Sequence, residues 1–187
     1  MIITKNDLKD YLREDRRVQP PSNLLIKRLF DRIYKIKTLM RICEYHKNNM
    51  KGNIYHTILF YFFYTLYLRV EHACCSDIGL NVFDKGLVIW HPERIIVNSN
   101  AKVGRHCSLS SGVVIAQAHD KSPIIGNEVE FMIDSSALGD IVIADHVRIG
   151  AKALVIKDIE ERNTTWAGLP AKKISDKGTV ETPVPIP

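Results

Sequence analysis

A six-residue period between Val97 and Ile159 limits the fold of this chain more than any other feature of its sequence. Strands repeat every two residues and helices every 3.6, so neither element alone produces this spacing. Hexapeptide repeats are typical of a parallel β-helix, in which each repeat buries its apolar face only by stacking on its neighbours. Apolar residues occupy the same place in successive repeats: Val97, Val103, Leu109, Ile115, Ile125, Phe131, Ala137, Ile143, Ile149 and Val155.

The period is interrupted between Ile115 and Ile125, where the step is ten residues instead of six. About four extra residues within 117–123 therefore loop out of the coil, and this loop contains His119. Loops on rigid scaffolds often carry binding and catalytic residues, so the interruption predicts part of a functional site. A tolerated insertion without a role is the alternative.

Composition narrows the class of partner. The chain has 187 residues, of which 45% are hydrophobic and 25% charged, as in ordinary soluble proteins. Residues 1–51 hold 13 Lys and Arg against 6 Asp and Glu, but no nucleic-acid-binding motif accompanies this charge, so we expect no nucleic-acid partner. The four cysteines have neither metal-site nor disulfide-framework spacing, and no signal-peptide pattern opens the chain. These features predict a cytoplasmic protein without a metal.

Helical patterns fill the N-terminal part of the chain. Thr4 or Asn6 can cap a first helix that ends before a Gln-Pro-Pro sequence. Apolar residues at three- and four-residue intervals predict one amphipathic helix from Ser22 to a break at Gly52. The apolar window at 57–70 is shorter than the roughly 20 residues that span a bilayer. We expect it to be buried, with peripheral membrane contact as the alternative.

Together these patterns predict an α+β chain in three parts. Residues 1–76 form an α-helical domain, and residues 77–175 form a β-helix of hexapeptide repeats. Residues 176–187 contain three prolines and no apolar face, which predicts a flexible C-terminal tail.

Three segments have recognisable sequences: residues 86–98 (GLVIWHPERIIVN), 149–153 (IGAKA) and 167–171 (AGLPA). They resemble hexapeptide-repeat acyltransferases, and within them the serine acetyltransferase-like branch. In that family the first segment surrounds the catalytic histidine, the second borders acetyl-CoA and the third closes the coil. Residues 7–16 also resemble the start of short serine acetyltransferase-like proteins associated with surface polysaccharide synthesis.

This resemblance implies a left-handed parallel β-helix assembled as a homotrimer, with active sites between neighbouring subunits. It also implies acetyl-CoA as co-substrate, lying along the coil, with a small molecule or an oligosaccharide as acceptor. The basic N-terminal helices are a candidate surface through which two trimers pair.

The resemblance assigns the catalytic base. Transfer from a thioester to a hydroxyl needs a general base, and histidine has a suitable pKa near neutrality. By the family match that base is His91. An acceptor on its second ring nitrogen would fix the tautomer, and Asp77 lies one residue out of step with the aspartate that the family uses for this. Asp84 and Glu93 are alternatives.

The acceptor site differs from that of serine acetyltransferases. The family has an aspartate before its catalytic histidine, where this chain has Trp90, and an Arg-His pair in the loop, where it has Lys121 and Ser122. A desolvated amino acid needs charged partners, whereas an indole offers a flat apolar face to a sugar ring. We therefore expect O-acetylation of a sugar hydroxyl in surface (capsular) polysaccharide biosynthesis, with Trp90, His119 and Lys121 binding the acceptor. Serine O-acetylation in cysteine biosynthesis is the alternative.

Acetyl-CoA needs small residues beside its pantetheine arm and cations near its phosphates. By the resemblance the residues along the coil are Ala116, Gly150, Ala151 and Lys152, and those near the adenosine end are Lys172 and Lys173.

Overall fold

The computed structural model describes residues 1–179, in which helices precede a series of short strands. The helices are α1 (Lys5–Val18), α2 (Leu25–Phe30), α3 (Arg32–Asn49) and α4 (Ile54–Ala73). The strands are β1 (Asp77–Ile78), β2 (Val88–Ile89), β3 (Ile96–Val97), β4 (Lys102–Val103), β5 (Ser108–Leu109), β6 (Val114–Ala116), β7 (Ile124–Ile125), β8 (Glu130–Phe131), β9 (Ser136–Leu138), β10 (Val142–Ile143), β11 (Arg148–Ile149), β12 (Leu154–Val155), β13 (Thr165–Ala167) and β14 (Lys172–Ser175).

The strands form the three sides of a solenoid. Sheet S1 contains β1, β3, β6, β9 and β12, sheet S2 contains β4, β7 and β10, and sheet S3 contains β2, β5, β8, β11, β13 and β14. Neighbouring strands are parallel, except that β14 returns antiparallel to β13. Ile115 pairs with Val97 in the preceding coil and with Ala137 in the following one. The predicted parallel β-helix is therefore confirmed.

Three edges join the sheets, and each is named here by the sheets it connects. The S3–S1 edge comprises residues 90–95, 110–113, 132–135 and 150–153. The S1–S2 edge comprises residues 98–101, 117–123, 139–141 and 156–158. The S2–S3 edge comprises residues 104–107, 126–129, 144–147 and 160–164.

The repeat positions form the solenoid core. Leu109, Ile115 and Phe131 have no exposed surface, as the six-residue period predicts. Phe131 shares its coil with Ala137, whereas the next coil has Ile149 and Val155 at these places. A large and a small side chain thus fill the space that two medium-sized ones fill one coil later, because protein cores are close-packed.

Many corners of the solenoid use the left-handed backbone region. The residues are not glycines, and their φ values lie between 56° and 61°: Arg94, His106, Glu128, Asp134, His146, Lys152 and Asn163. This conformation costs roughly 1–2 kcal/mol for an L-residue. Hydrogen bonds between successive corners oppose that cost, as when the Lys152 amide donates to the Ile133 carbonyl at 2.9 Å.

The interruption of the period is a small hairpin outside the coil. Ala118 and Lys121 pair across it, and His119 and Asp120 at its tip have φ values of 51° and 60°. Two successive residues with positive φ are typical of the tight turns that join hairpin strands. The predicted loop is confirmed. The strands on either side of it, β6 and β7, keep their pairing with the neighbouring coils: β6 pairs with β3 and β9, and β7 with β4 and β10.

The N-terminal helices differ from the prediction at one place. The helix expected from Ser22 to Gly52 is two helices, because Asp31 is extended (φ −73°, ψ 103°) and its carboxylate accepts a hydrogen bond from the Tyr34 amide at 2.9 Å. Apolar periodicity continues through the break, but the aspartate caps the next helix. The first helix is capped by Thr4 and ends at Val18.

Helix α4 buries one face only. Phe60 and Tyr67 are buried, whereas a stripe on the opposite face is more than half exposed: Ile54, Tyr55, Ile58, Tyr61 and Phe62. Within residues 1–179 no helix has the length and apolarity needed to cross a bilayer.

Buried charged groups connect the helices to the first coil. Arg41 is fully buried and donates to the carboxylate of Asp15 and to the carbonyls of Phe83 and Asp84. Asp15 in turn accepts from the amides of the first coil at residues 86 and 87.

The C-terminal residues that the structure describes are not loose, in contrast to the tail predicted at 176–187. Gly178 is buried, and Thr179 donates from its hydroxyl to the Glu128 carbonyl at 2.7 Å. Backbone polar groups at the S2–S3 edge provide partners that composition does not reveal. Residues 180–187 of the predicted tail lie outside the described residues.

Candidate active site

The S3–S1 edge brings His91 onto the same line as three predicted cofactor residues. Trp90 and His91 directly follow β2 in the first coil, and Gly150, Ala151 and Lys152 follow β11 in the fourth. Backbone hydrogen bonds of 2.9–3.0 Å link the successive corners between them. Strands of a sheet lie about 4.8 Å apart, so the two corners are separated by about 14 Å along the solenoid.

The corner that holds His91 is anchored on both sides. The hydroxyl of Ser76 donates to the Pro92 carbonyl at 2.6 Å and accepts from the Ile95 amide at 3.0 Å. The imidazole of His91 itself is exposed, and no hydrogen bond holds it within residues 1–179. A fixed backbone with an open imidazole is the arrangement that a base needs to meet an acceptor from solvent.

The structure narrows the choice of a carboxylate partner for His91. Asp84 precedes β2 and His91 follows it, so Asp84 lies towards the opposite edge of sheet S3. Glu93 is next to Arg32, with 4.0 Å between carboxylate and guanidinium. Asp77 is exposed in β1, and its backbone pairs with Ile96 directly beyond the His91 corner. Within residues 1–179 no hydrogen bond joins Asp77 to His91, so its assignment stays a prediction.

Sequence reasoning missed Gln19, whose amide holds the strand that leads to His91. Its Nε2 donates to the Ile89 carbonyl at 2.7 Å, and its Oε1 accepts from the Ile89 amide at 3.2 Å. Because β2 is the first strand of S3, this amide occupies the place of a missing neighbouring strand. The buried ammonium of Lys37 donates to Gln19 at 3.1 Å, and burial lowers the pKa of Lys37 to about 8. No local signal predicts a contact over 70 residues.

The other predicted acceptor residues lie at the S1–S2 edge. His119 and Lys121 line a groove of about 500 Å³ together with Gly139 and Ile156, and Ala116 ends the adjoining strand β6. Lys121 forms an exposed ion pair with Asp140. Strands of S1 run from the S3–S1 edge to this edge, so one chain does not bring His119 and Lys121 together with Trp90 and His91.

Trp90 and the two C-terminal lysines complete the predicted set. The indole of Trp90 is partly open, with 38% of the residue exposed, next to His91. Lys172 and Lys173 lie in β14, where the ammonium of Lys173 pairs with Glu161 and, at 2.6 Å, with Asp176. The hydrogen bond that Lys173 donates to the Asp176 carboxylate raises the pKa of Lys173. A phosphate would therefore compete with two carboxylates there.

Metal-ligating side chains are dispersed. Among residues 1–179 no group of three or more His, Cys, Asp or Glu side chains could hold a metal ion. All four cysteines are free thiols, and three of them are buried.

Sequence comparison finds serine acetyltransferases. No protein-family model matches the chain. Over 104 residues the chain is 29% identical to the serine acetyltransferase of Synechococcus elongatus, a stretch covering 54% of this chain and 42% of the relative. Over 125 residues it is 32% identical to serine acetyltransferase 3, mitochondrial, of Arabidopsis thaliana, covering 64% of this chain and 32% of the relative. The matched stretches therefore span less than half of either relative.

Solved serine acetyltransferases have a similar fold. The Neisseria gonorrhoeae structure matches with a TM-score of 0.69 and 23% identity, over 95% of this chain and 68% of that chain. The same enzyme in complex with serine matches with a TM-score of 0.66 and 20% identity, over 91% and 68%. A serine acetyltransferase in complex with CoA matches with a TM-score of 0.67 and 21% identity, over 91% and 70%. At these identities the likeness shows the fold: N-terminal helices followed by a β-solenoid.

These findings support the hexapeptide-repeat acyltransferases as the class of this protein. They also correct one expectation. The relatives are serine acetyltransferases, so the predicted O-acetylation of a capsular sugar is wrong. That expectation depended on Trp90 and on the replacements at Lys121 and Ser122. A flat indole does not define an acceptor, because apolar contact is not directional.

Proposed function

We propose that this chain transfers the acetyl group of acetyl-CoA to the hydroxyl of serine, with His91 as general base. One observation carries the proposal: an exposed histidine occupies an anchored corner of the solenoid, in a chain that is 29–32% identical over 104–125 residues to two serine acetyltransferases. The same stretch supports acetyl-CoA as donor, and the four free cysteines support a cytoplasmic location.

The reaction needs no acyl-enzyme. His91 takes the proton of the serine hydroxyl while its oxygen attacks the thioester carbonyl, forming a C–O bond. Collapse of the tetrahedral intermediate breaks the C–S bond, and the imidazolium returns the proton to the departing thiolate. Asp77 is the proposed partner that orients the imidazole and stabilises its charged form.

A homotrimer would complete the site, and this assembly is part of the proposal. His91 and His119 lie at opposite edges of sheet S1 in one chain. A second subunit that presents its S1–S2 edge to the S3–S1 edge of the first brings His119, Lys121 and Ala116 to His91. Pairing of two such trimers through the N-terminal helices is the accompanying expectation.

Acetyl-CoA is proposed to lie along the S3–S1 edge between the His91 corner and the last coil. Gly150 and Ala151 offer little bulk beside a pantetheine arm, and Lys152 is exposed near them. Lys172 is exposed and is the better candidate for a phosphate, because Lys173 is already paired. Lysines act as point charges at such sites.

The test is release of free thiol from acetyl-CoA, with L-serine in one series and nucleotide sugars in another. The proposal expects turnover that depends on serine. His91→Ala should lower kcat by about 10²- to 10⁴-fold, the range of general-base catalysis. His146→Ala, at the S2–S3 edge, is the matched control and should retain activity. Sugar-dependent release without a response to serine would contradict the acceptor, and His91→Ala activity above a tenth of the parent rate would contradict the base.

A further inference from the structure

A cavity of about 170 Å³ lies between helix α1, the proline-containing segment that follows it and the first turns of α3. Leu12, Pro21 and Ile33 form apolar parts of its wall. The lining also includes Lys37, which is only 5% exposed, and Arg16, which is exposed. We call this space the Lys37 cavity. Because part of its lining is exposed, it borders on solvent.

The ammonium of Lys37 is buried without a counter-ion. Its Nζ donates to the backbone carbonyl of Asp15 at 3.0 Å and to the side-chain oxygen of Gln19 at 3.1 Å, and both acceptors are uncharged. An ammonium has three N–H donors, so among residues 1–179 one donor of Lys37 has no partner. Burial of a charge without a counter-ion is unfavourable, and it lowers the pKa of Lys37 to about 8.

The carboxylates that line the Lys37 cavity are engaged elsewhere. Asp15 accepts from Arg41 Nε at 2.9 Å and from the amides of residues 86 and 87. Asp31 accepts from the Tyr34 amide at 2.9 Å, where it caps α3. Both carboxylates still act on the charge of Lys37 over a longer distance. A doubly charged anion in the cavity would be repelled by both aspartates, so a singly charged ligand fits better.

The size and the apolar wall of the cavity define the rest of the ligand. A cavity of about 150 Å³ can hold benzene, so a ligand of roughly six non-hydrogen atoms fits the Lys37 cavity. The apolar wall favours a ligand with a hydrocarbon part beside its charged group. Butanoate, a short chain with one carboxylate, combines this size, charge and polarity.

We propose that the Lys37 cavity binds a small monocarboxylate, whose oxygen accepts the unpartnered N–H of Lys37 and whose hydrocarbon part packs against Leu12 and Ile33. The carboxylate supplies the counter-ion that the buried ammonium lacks. The cavity is lined by residues between 12 and 38, so the site is separate from the S3–S1 edge and does not depend on the proposed function. Lys37 also holds Gln19, whose amide pairs with Ile89, so the site adjoins the support of strand β2.

Ligand-observed NMR titration of the full chain tests the site with butanoate, butanamide and inorganic phosphate. The parent protein should bind butanoate with a Kd of about 1 mM or below. Butanamide has nearly the same shape without the charge, and it should bind about 10- to 100-fold more weakly, the value of a charged hydrogen bond. Phosphate should also bind more weakly than butanoate, because of its second charge and its lack of apolar surface.

Variants assign the binding to the cavity. Lys37→Met keeps the length of the side chain without its charge, and it should lose the preference for butanoate over butanamide. Leu12→Trp leaves Lys37 in place but fills part of the cavity, so it should weaken the binding of both ligands. Lys47→Met, at an exposed position of the same helix, is the matched control and should bind butanoate as the parent does.

Three results would overturn the inference. They are equal affinity of the parent for butanoate and butanamide, unchanged butanoate binding in Lys37→Met, and tighter binding of phosphate than of butanoate. Thermal unfolding of each variant without ligand shows whether it is folded, and Leu12→Trp provides the test if Lys37→Met is not. None of these titrations measures acetyl transfer, so their failure leaves the proposed function intact.

Discussion

The helical segment and the interior of the solenoid bury different kinds of groups. The solenoid interior is apolar, and residues such as Leu109 and Ile149 have no exposed surface. At the junction with the helices, charged residues are buried instead: Asp15, Lys37, Arg41, Glu44 and Glu71 are each at most 5% exposed. The two regions are therefore stabilised by different interactions.

The difference follows from the position of the first coil. Every later coil satisfies its backbone groups on the coil before it, but the first coil has no predecessor. Helix side chains take that place: the carboxylates of Glu44 and Glu71 accept from the amides of Asn81 and Ile78, at 2.8 and 2.7 Å. Buried backbone groups need partners, and an open solenoid end needs a polar cap. The buried carboxylates of the helices thus provide hydrogen-bond acceptors that a preceding coil would otherwise provide.

Removing Arg41 is the strongest test of this comparison. Arg41→Ala leaves the carboxylates of Asp15 and Glu44 buried without their cation, 2.9 and 3.1 Å from where its nitrogens were. Breaking a buried pair in this way costs about 3–5 kcal/mol. Urea unfolding should show a decrease of that size in the free energy of unfolding. A loss below about 1 kcal/mol would mean that the charges do not stabilise the cap.

Truncation of a side chain in the solenoid core should lower the free energy of unfolding somewhat less than Arg41→Ala does. Leu109→Ala removes a fully buried side chain from the second coil, and such changes cost about 2–5 kcal/mol according to the cavity that remains. The shift in the midpoint of urea unfolding measures this loss of stability. Ile124→Ala, at a half-exposed position on the outer face of S2, is the control and should change the midpoint little. Equal effects of the two variants would contradict a core made by the inward positions.

The smallest expected effect is a dependence of the free energy of unfolding on pH. Burial raises the pKa of Glu71 to about 7, above its ordinary 4.5. Between these values the folded state binds more protons than the unfolded state, so stability falls as pH rises through this window. We expect a loss of about 1–3 kcal/mol between pH 5 and pH 8, because one pKa unit corresponds to about 1.4 kcal/mol. Thermal unfolding across this range measures it.

Glu71→Gln sharpens the test, since the amide oxygen can still accept from the Ile78 amide. This variant should lose most of the slope with pH, while Glu160→Gln, at an exposed position, should keep it. An unchanged slope in Glu71→Gln would show that other groups dominate the dependence on pH.

The regular part of the fold was predictable because its signal is local. The six-residue period identifies the inward positions, and its interruption locates the His119 hairpin. Contacts across long stretches of sequence were not predictable, as with Arg41 and the Phe83 carbonyl, 42 residues apart. The helix break at Asp31 was missed because apolar spacing continues through it.

The candidate site was predictable only in part. The resemblance suggested roles for His91 and for residues 150–152, which the structure places on one edge, but the period alone did not show that His119 lies at another. Gln19 had no sequence signal, because its contact with Ile89 depends on which helix and coil become neighbours. The acceptor was predicted wrongly from the residue types at Trp90, Lys121 and Ser122, since side chain types without their surroundings do not define a substrate.

The position of the hairpin between β6 and β7 has a consequence for engineering. Residues 117–123 leave the coil after β6 and rejoin it at β7, and both strands keep their register with neighbouring coils, Ile115 opposite Ala137 and Ile125 opposite Val103, so the length of the loop is independent of the core. Loops of other sizes could be grafted between Ala116 and Ile124 with little change in stability, because closure entropy grows slowly with length. The hairpin is an exchangeable module whose length and sequence can be varied on an unaltered scaffold.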